Sequence, residues 1–303
     1  MKKRVAVIGA GITGLTTAYF LVKAGYHVTV LEQERYPAMR TSFANGGQIS
    51  ASNSETWTSW SNVGKAFKWM LKKDAPLLFK FWRFDIAMWR WILKFLWATV
   101  KGEGDRNTAD TVRMAIESRK LYDQICKDEN IEHDMFDRKD NGILHFYKTK
   151  SYWNNAVNVS GLYNANGLDR QVINSDTIKN IDPALKDIEG VVGATYTASD
   201  WTGDIHKFCY QLADILEYRY NVTFWYDYKV KGINDIASGY DAIVVANGVG
   251  STALAKSIYE HIEVYPVKGY SITINNVNPQ HLPQVSLLDD EAKIVTATLG
   301  NKF

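Results

Sequence analysis

An α/β fold is predicted, and three stretches predict it. Val5 to Ile8 is an apolar run that leads into Gly9, Gly11 and Gly14, after which Leu15, Ala18, Leu21 and Val22 fall at helical spacing. His27-Val-Thr-Val-Leu31 reads as a second strand and ends on an acid, Glu32. Far downstream, Asp241-Ala-Ile-Val-Val-Ala-Asn-Gly248 is apolar without alternation, as expected of a parallel strand covered on both faces.

The first two stretches form one unit with a chemical meaning. A strand that turns on glycines into a helix can hold a pyrophosphate, because the helix N-terminus offers N–H groups and a partial positive charge. Gly9 permits the tight turn, Gly11 lets the backbone approach the phosphates, and Gly14 lets helix and strand pack. Glu32 lies where an acid accepts hydrogen bonds from the ribose hydroxyls. Val5, Ala6, Val7, Ile8, Gly9, Ala10, Gly11, Ile12, Thr13, Gly14 and Glu32 are therefore candidates for a Rossmann-like dinucleotide site. The pattern does not distinguish NAD from FAD.

The chain then runs through an irregular loop, Arg40 to Ser50, whose Gly46-Gly47 pair suits either a surface turn or the approach of backbone to a flat ligand. From Trp57 to Lys101, seven tryptophans interleave with Lys65, Lys68, Lys72, Lys73, Lys80, Arg83, Arg90, Lys94 and Lys101, against Asp74 and Asp85. Those charges exclude a bilayer-spanning helix. They suit either helices lying at a membrane surface or an aromatic face packed on the second domain. A helix follows from Asp110 to about Glu129, with Asp110, Asn107 or Thr108 as its cap. Asp140-Asn-Gly142 turns into a strand, Ile143 to Tyr147, in which His145 reads as a packed sheet histidine. Trp153–Leu162 reads as a helix, and Gly190–Thr197 as a strand.

Asp204 caps an amphipathic helix carrying Phe208, Leu212, Ile215 and Leu216, with His206 on its surface. Asn221–Trp225 and Tyr228–Ile233 read as strands. After a helix from Ser251 to Tyr259, the alternation over Val264–Ile274 predicts a return to an antiparallel sheet. Val285–Leu288 and Ile294–Leu299 would complete it. Net charge is +2 over 303 residues, which gives no reason to expect a nucleic-acid partner. Cys126 and Cys209 lack metal-ligand spacing and read as buried thiols in a reducing compartment. The opening Met1-Lys-Lys-Arg imitates a signal peptide, but cleavage there would destroy the βαβ unit. The chain is expected in the cytoplasm, with peripheral contact through 57–101 at the inner face of the cell membrane.

The glycine motif, Glu32 and Thr41-Ser-Phe-Ala-Asn-Gly-Gly-Gln-Ile-Ser50 together resemble the FAD-dependent D-amino acid dehydrogenases of small-subunit type, relatives of D-amino acid, glycine and sarcosine oxidases. Lys65–Leu71, Trp201-Thr-Gly-Asp204 and Tyr265–Ser271 extend the resemblance. It implies FAD, a glutathione-reductase-like cofactor domain, and an interleaved α+β substrate domain built on an antiparallel sheet. The expected cofactor domain is 1–56 with 198–254, and the substrate domain is 57–197 with 255–303.

The resemblance implies further cofactor contacts at Ser42, Asn45, Gly46, Gly47 and Gln48 beside the flavin, Val230 near the adenine, and Asn247 and Gly248 at a strand end. Lys268 is the one charged residue singled out near the active site, against a plainer reading as an exposed strand-start lysine. The implied reaction is oxidation of a D-amino acid, with electrons passed to the respiratory chain. A glycine- or sarcosine-type oxidase is the alternative. The family's C-terminal Gly-x-Arg-Pro segment is not found in the sequence, which raises the expectation of an inactive remnant or of a separate C-terminal half as partner.

Overall fold

The computed structural model describes residues 2–60, 62–64, 85–278 and 281–303. The strands along the chain are β1 (Arg4–Ile8), β2 (His27–Leu31), β3 (Gln48–Ile49), β4 (Ile143–Tyr147), β5 (Arg170–Asn174), β6 (Gly193–Thr197), β7 (Trp201–Thr202), β8 (Thr223–Trp225), β9 (Ala242–Val245), β10 (Ser286–Asp289) and β11 (Ile294–Thr296). The α-helices whose bounds lie within the described residues are α1 (Ile12–Lys23), α2 (Ile86–Val100), α3 (Gly104–Glu129), α4 (Lys150–Ala165), α5 (Ile178–Ile181), α6 (Ile205–Asp214) and α7 (Ser251–Lys256).

The chain divides into two units. The first comprises Met1–Asn45 and Asp204–Ser271, the second Gly46–Gly203 and Ile272–Phe303. The chain crosses between them at Asn45/Gly46 and Gly203/Asp204, where the sequence suggested 56/57 and 197/198. The second return falls after Ser271, where 254 was expected.

The first unit is built on a parallel sheet in the order β8-β2-β1-β9. The apolar runs at β1 and β2 are buried because α1 lays Leu15, Ala18 and Tyr19 on the sheet. Fully burying a side chain the size of Leu15 contributes about 1.5–3 kcal/mol. Ala6, Ile8, Leu31, Ile236 and Leu254 form a second cluster, with Val230, Ile243 and Val245 against it.

The second unit holds a five-stranded sheet, β11-β10-β4-β6-β5. It is antiparallel as expected except at one pair, β4 with β10, which is parallel. β11 forms one edge of this sheet. β3 and β7 make a separate antiparallel ribbon of two pairs, Gln48 with Thr202 and Ile49 with Trp201.

Several local expectations need correction. The long helix α3 starts at Gly104 with Glu103 at its cap position, so Asp110 lies inside it and pairs with Arg113. Tyr228–Ile233 is not a strand. After β8 the chain turns at Asp227 (φ +53°), and the Tyr228 N–H bonds to the Glu32 carbonyl. Val264–Ile274 forms no strand either. Its alternation suits a sheet, but no strand forms over it: Ile274, at its end, pairs in both directions with the Phe303 backbone, while Tyr270 and Ile272 are exposed. Alternating side chains stabilise a strand only when a neighbour supplies the backbone partners. Asp204 does cap α6, accepting from the Lys207 N–H at 3.0 Å.

Candidate functional site

In the first unit the glycine turn leaves no room for a side chain at Gly9 or Gly14. Gly9 adopts φ +106°, and a Cβ there would lie 2.7 Å from the Ala246 carbonyl oxygen at the end of β9. A Cβ on Gly14 would come within 1.8 Å of the Gly9 carbonyl oxygen. These contacts force backbone against backbone, so the turn, the start of α1 and the end of β9 meet at one place. Asn247, whose Cα would lie 3.0 Å from a Gly9 Cβ, belongs to the same place, and Gly248 follows it at φ +59°.

Glu32 is buried and fixed at both carboxylate oxygens. Oε2 accepts from the Ala10 N–H at 2.7 Å, and Oε1 accepts from the Glu34 N–H at 2.9 Å. The acid is thus tied to the glycine turn, and each oxygen retains a lone pair for a further donor. Ser42 reaches the same turn, its Oγ accepting from the Ile12 N–H at 3.1 Å. Asn45 Nδ2 donates back to the Ser42 carbonyl at 2.9 Å. α1 begins with no acidic residue in its first turn and no side-chain cap at Gly11, which leaves its N-terminus suited to an anion. The donor set and the glycine sterics fit a dinucleotide pyrophosphate and ribose.

Val230 packs on the cluster around Ile8 and Leu31. Lys268 is exposed, with its ammonium 5.2 Å from the Tyr270 ring centre. No contact described for it reaches the glycine turn or Glu32. His206 stands between the rings of Phe43 and Tyr210, at 4.8 and 5.0 Å.

In the second unit, Gly46 and Gly47 pack against the last part of the chain. A Cβ on Gly46 would meet Val295 at 2.9 Å, and one on Gly47 (φ +62°) would meet the Gly203 carbonyl oxygen at 3.0 Å. Gln48 Nε2 donates to Ser286 Oγ at 2.7 Å. The short 3₁₀ turn that follows, Ala51–Asn53, sits among buried polar groups whose role the sequence did not reveal.

Asp200 accepts from the Ala51 N–H at 2.9 Å and the Ser52 N–H at 3.0 Å, and forms an ion pair with Arg119. Arg170 donates to the Ser52 carbonyl at 3.1 Å, to the Tyr147 hydroxyl at 3.0 Å and to Thr195 Oγ1 at 2.8 Å. His145 Nε2 lies 3.0 Å from Ser52 Oγ, and its Nδ1 lies 3.1 Å from Asp290 Oδ2.

The ionisation states follow from the surroundings. Burial would raise the Asp290 carboxyl, but the hydrogen bond from His145 and the nearby Lys293 and Arg170 charges hold it well below the usual carboxylate range. Burial pushes His145 below its ordinary 6.5, against the pull of the Asp290 hydrogen bond. With Asp290 ionised and His145 neutral, Nδ1 carries the proton and donates to Asp290. Nε2 then accepts from the Ser52 hydroxyl.

The remaining candidates are plainer. Burial pushes the Cys126 thiol up to about 11 and the Cys209 thiol up to about 12, so both are inert. Among the described residues no group of His, Cys, Asp and Glu could hold a metal ion. A concavity of about 560 Å³ at Asp123, Cys126, Asn130, His133 and Arg138 contains none of the sequence-predicted cofactor residues.

The parallel sheet, the glycine turn and the tethered acid define a dinucleotide-binding α/β protein. The comparisons narrow this class. The model of the family described as "DAO: FAD dependent oxidoreductase" matches residues 4–303, and the chain belongs to that family. The cofactor is FAD.

The chain is 42% identical to "D-amino acid dehydrogenase 3" of Mesorhizobium japonicum, over 98% of this chain and 74% of that protein. It is 37% identical to "D-amino acid dehydrogenase" of Dechloromonas aromatica, over 99% and 75%. The chain thus spans about three quarters of the length of these relatives. Among solved structures, glycine oxidase from Geobacillus kaustophilus superposes with a TM-score of 0.68 at 17% identity, covering 99% of this chain and 70% of that one. L-proline dehydrogenase from P. horikoshii gives 0.66, also at 17%, covering 100% and 68%. At that identity the likeness is one of fold.

Proposed function

We propose that the protein oxidises D-amino acids to 2-oxo acids and ammonia. The observation that carries this reading is the 42% identity, over nearly the whole chain, to a relative named for D-amino acid dehydrogenation. When bound, FAD supplies the acceptor for the α-hydrogen, taken as hydride, and the resulting imine hydrolyses in water. The chain's own residues bind and orient. The turn Gly9–Gly14 at the start of α1 receives the pyrophosphate, and Glu32 accepts from the adenosine ribose hydroxyls. Ser42 and Asn45 shape the end of the loop in the first unit. Gly46, Gly47 and Gln48 present backbone to the flavin ring, Val230 to the adenine, and Asn247 and Gly248 close the strand end beside Gly9. Lys268 would stand apart from these positions, its described contact being the Tyr270 ring.

The reading is tested by reconstituting the purified chain with FAD and supplying D- or L-alanine with an artificial electron acceptor. Dye reduction by D-alanine alone supports it. Peroxide formation in air, without need of the dye, would instead mark an amine oxidase. Adding a separately produced C-terminal segment of a relative tests whether turnover needs a second piece.

Peripheral membrane contact is the second part of the proposal. No described helix is long and apolar enough to cross a membrane. Yet α2 exposes Ile86, Trp89, Leu93, Trp97 and Val100 at spacings of three and four, beside the exposed Arg90 and Lys94. An apolar stripe with tryptophans and flanking cations suits the headgroup region of an anionic bilayer at the cytoplasmic face. Co-sedimentation with phosphatidylglycerol vesicles tests it, with loss expected for Leu93→Ser and Trp97→Ser together. Residues 65–84, with Trp69 and Trp82 and most of the lysines of 57–101, lie outside the described residues.

A further inference from the structure

The turn Ala51–Asn53 is fastened more heavily than its length requires. Asp200 holds two of its N–H groups, Arg170 holds the Ser52 carbonyl, and His145 holds the Ser52 hydroxyl. The turn follows β3 directly, and β3 has only two paired residues. This short ladder, the Gly203 N–H on the Gly47 carbonyl and the Gln48–Ser286 hydrogen bond hold the middle of Gly46–Ser50, and its end at Ser50 is set by where the turn is pinned.

Ser52, His145 and Asp290 also have the donor order of a hydrolytic triad. Ser52 and His145 are only 1% and 2% exposed, so no acyl group reaches the hydroxyl. The chain of hydrogen bonds therefore needs another explanation. Buried polar groups rarely stabilise better than apolar residues of the same shape, and their best-attested use is to specify one arrangement among several.

We propose that Asp290, His145 and Ser52 are positioning residues that set the backbone of Gly46–Ser50, and through it the surface presented to the flavin. Asp290 orients the imidazole by accepting from Nδ1–H, and Nε2 then has one orientation in which it can accept from Ser52. The hydroxyl thereby selects a single placement of the turn at the end of the glycine loop. The consequence for the flavin rests on the FAD reading given above, whereas the placement of the loop does not.

The test uses the full chain and two substitutions of the same residue. The side-chain amide of Asn superposes on Nδ1 and that of Gln on Nε2, so His145→Asn keeps the Asp290 contact and His145→Gln keeps the Ser52 contact. With FAD bound, His145→Asn is expected to blur the fine structure of the flavin absorbance. It should also slow flavin reduction by D-alanine about tenfold, with FAD affinity within about threefold of wild type. His145→Gln, which keeps the Ser52 contact but not the Asp290 one, should recover most of both losses. Equal flavin spectra and reduction rates in wild type and both variants would overturn the proposal.

A wild-type chain that takes up no FAD sinks the functional reading, and amide exchange of the apoprotein then decides the inference. Residues 46–53 should exchange about tenfold faster in His145→Asn than in wild type or His145→Gln. Unchanged exchange in His145→Asn overturns the proposal on that arm.

Discussion

The glycine turn of the first unit and the polar cluster of the second solve similar problems by opposite means. Around Gly9 and Gly14 the geometry is set by leaving side chains out, so that backbone meets backbone at distances no Cβ tolerates. Around Ser52 it is set by putting charged and polar side chains in, from residues far apart in the chain: Arg119, His145, Arg170, Asp200 and Asp290. A turn built on omission shows in a short window of sequence. A turn built on convergence does not.

The contrast ranks the effects of substitution. Gly14→Ala should be the most damaging change to cofactor binding, because its Cβ has only the Gly9 carbonyl to displace. We expect a loss of FAD uptake and a destabilisation of about 3 kcal/mol or more, read as flavin content and a denaturation midpoint. A well-folded, yellow Gly14→Ala protein would mean that the turn is looser than the structure shows.

Asp200→Ala comes next. It leaves two N–H groups and the Arg119 guanidinium without their buried acceptor, at a cost of about 3–5 kcal/mol in chemical denaturation. An effect below about 1 kcal/mol would show that the cluster does not hold the turn.

Glu32→Gln acts on both folding and binding. The amide oxygen still accepts from the Ala10 N–H, but the amide nitrogen faces the Glu34 N–H that Oε1 accepted from, so stability should fall by about 1–3 kcal/mol. FAD affinity should fall about tenfold, because the charge that favours the ribose hydroxyls is gone. Titration of the apoprotein with FAD, followed by fluorescence, measures it.

The pH dependence of stability belongs to the second unit. His145 and Asp290 both titrate below their ordinary values when folded, so the unfolded chain binds more protons than the folded one. Their contribution is present above about pH 6.5. It is lost as pH falls, first through the His145 window and then, below the ordinary carboxylate value, through that of Asp290. Arg170 and Asp200 are the other charges facing His145, and they act on it in opposite senses. Stability measured from pH 8 to pH 5 should decline on the acid side, and less steeply in His145→Gln. Lys268→Ala should be the mildest change, within about 0.5 kcal/mol in stability, since its described contact is an exposed ring.

How much the sequence revealed follows the same division. The turn and the acid lie within the first 32 residues, where spacing alone relates them, and the structure ties Glu32 to the Ala10 N–H. Asp204 was legible as a cap because a cap and its partner are three residues apart. Asp200 was not, although it adjoins the motif Trp201-Thr-Gly-Asp204, because its partners at 51, 52 and 119 are remote. His145 could be read as a packed sheet histidine, but its two hydrogen bonds span 93 and 145 positions of sequence. Val264–Ile274 failed for a related reason. Alternation reports a face to be covered and says nothing about whether a neighbouring strand supplies the ladder.

The central claim is that this chain holds FAD and delivers the α-hydrogen of a D-amino acid to it. Anaerobic addition of D-alanine to the FAD-reconstituted protein tests this most directly. The yellow flavin absorbance should bleach with D-alanine and persist with L-alanine. Flavin that washes away on gel filtration, or absorbance that D-alanine leaves unchanged, would contradict it.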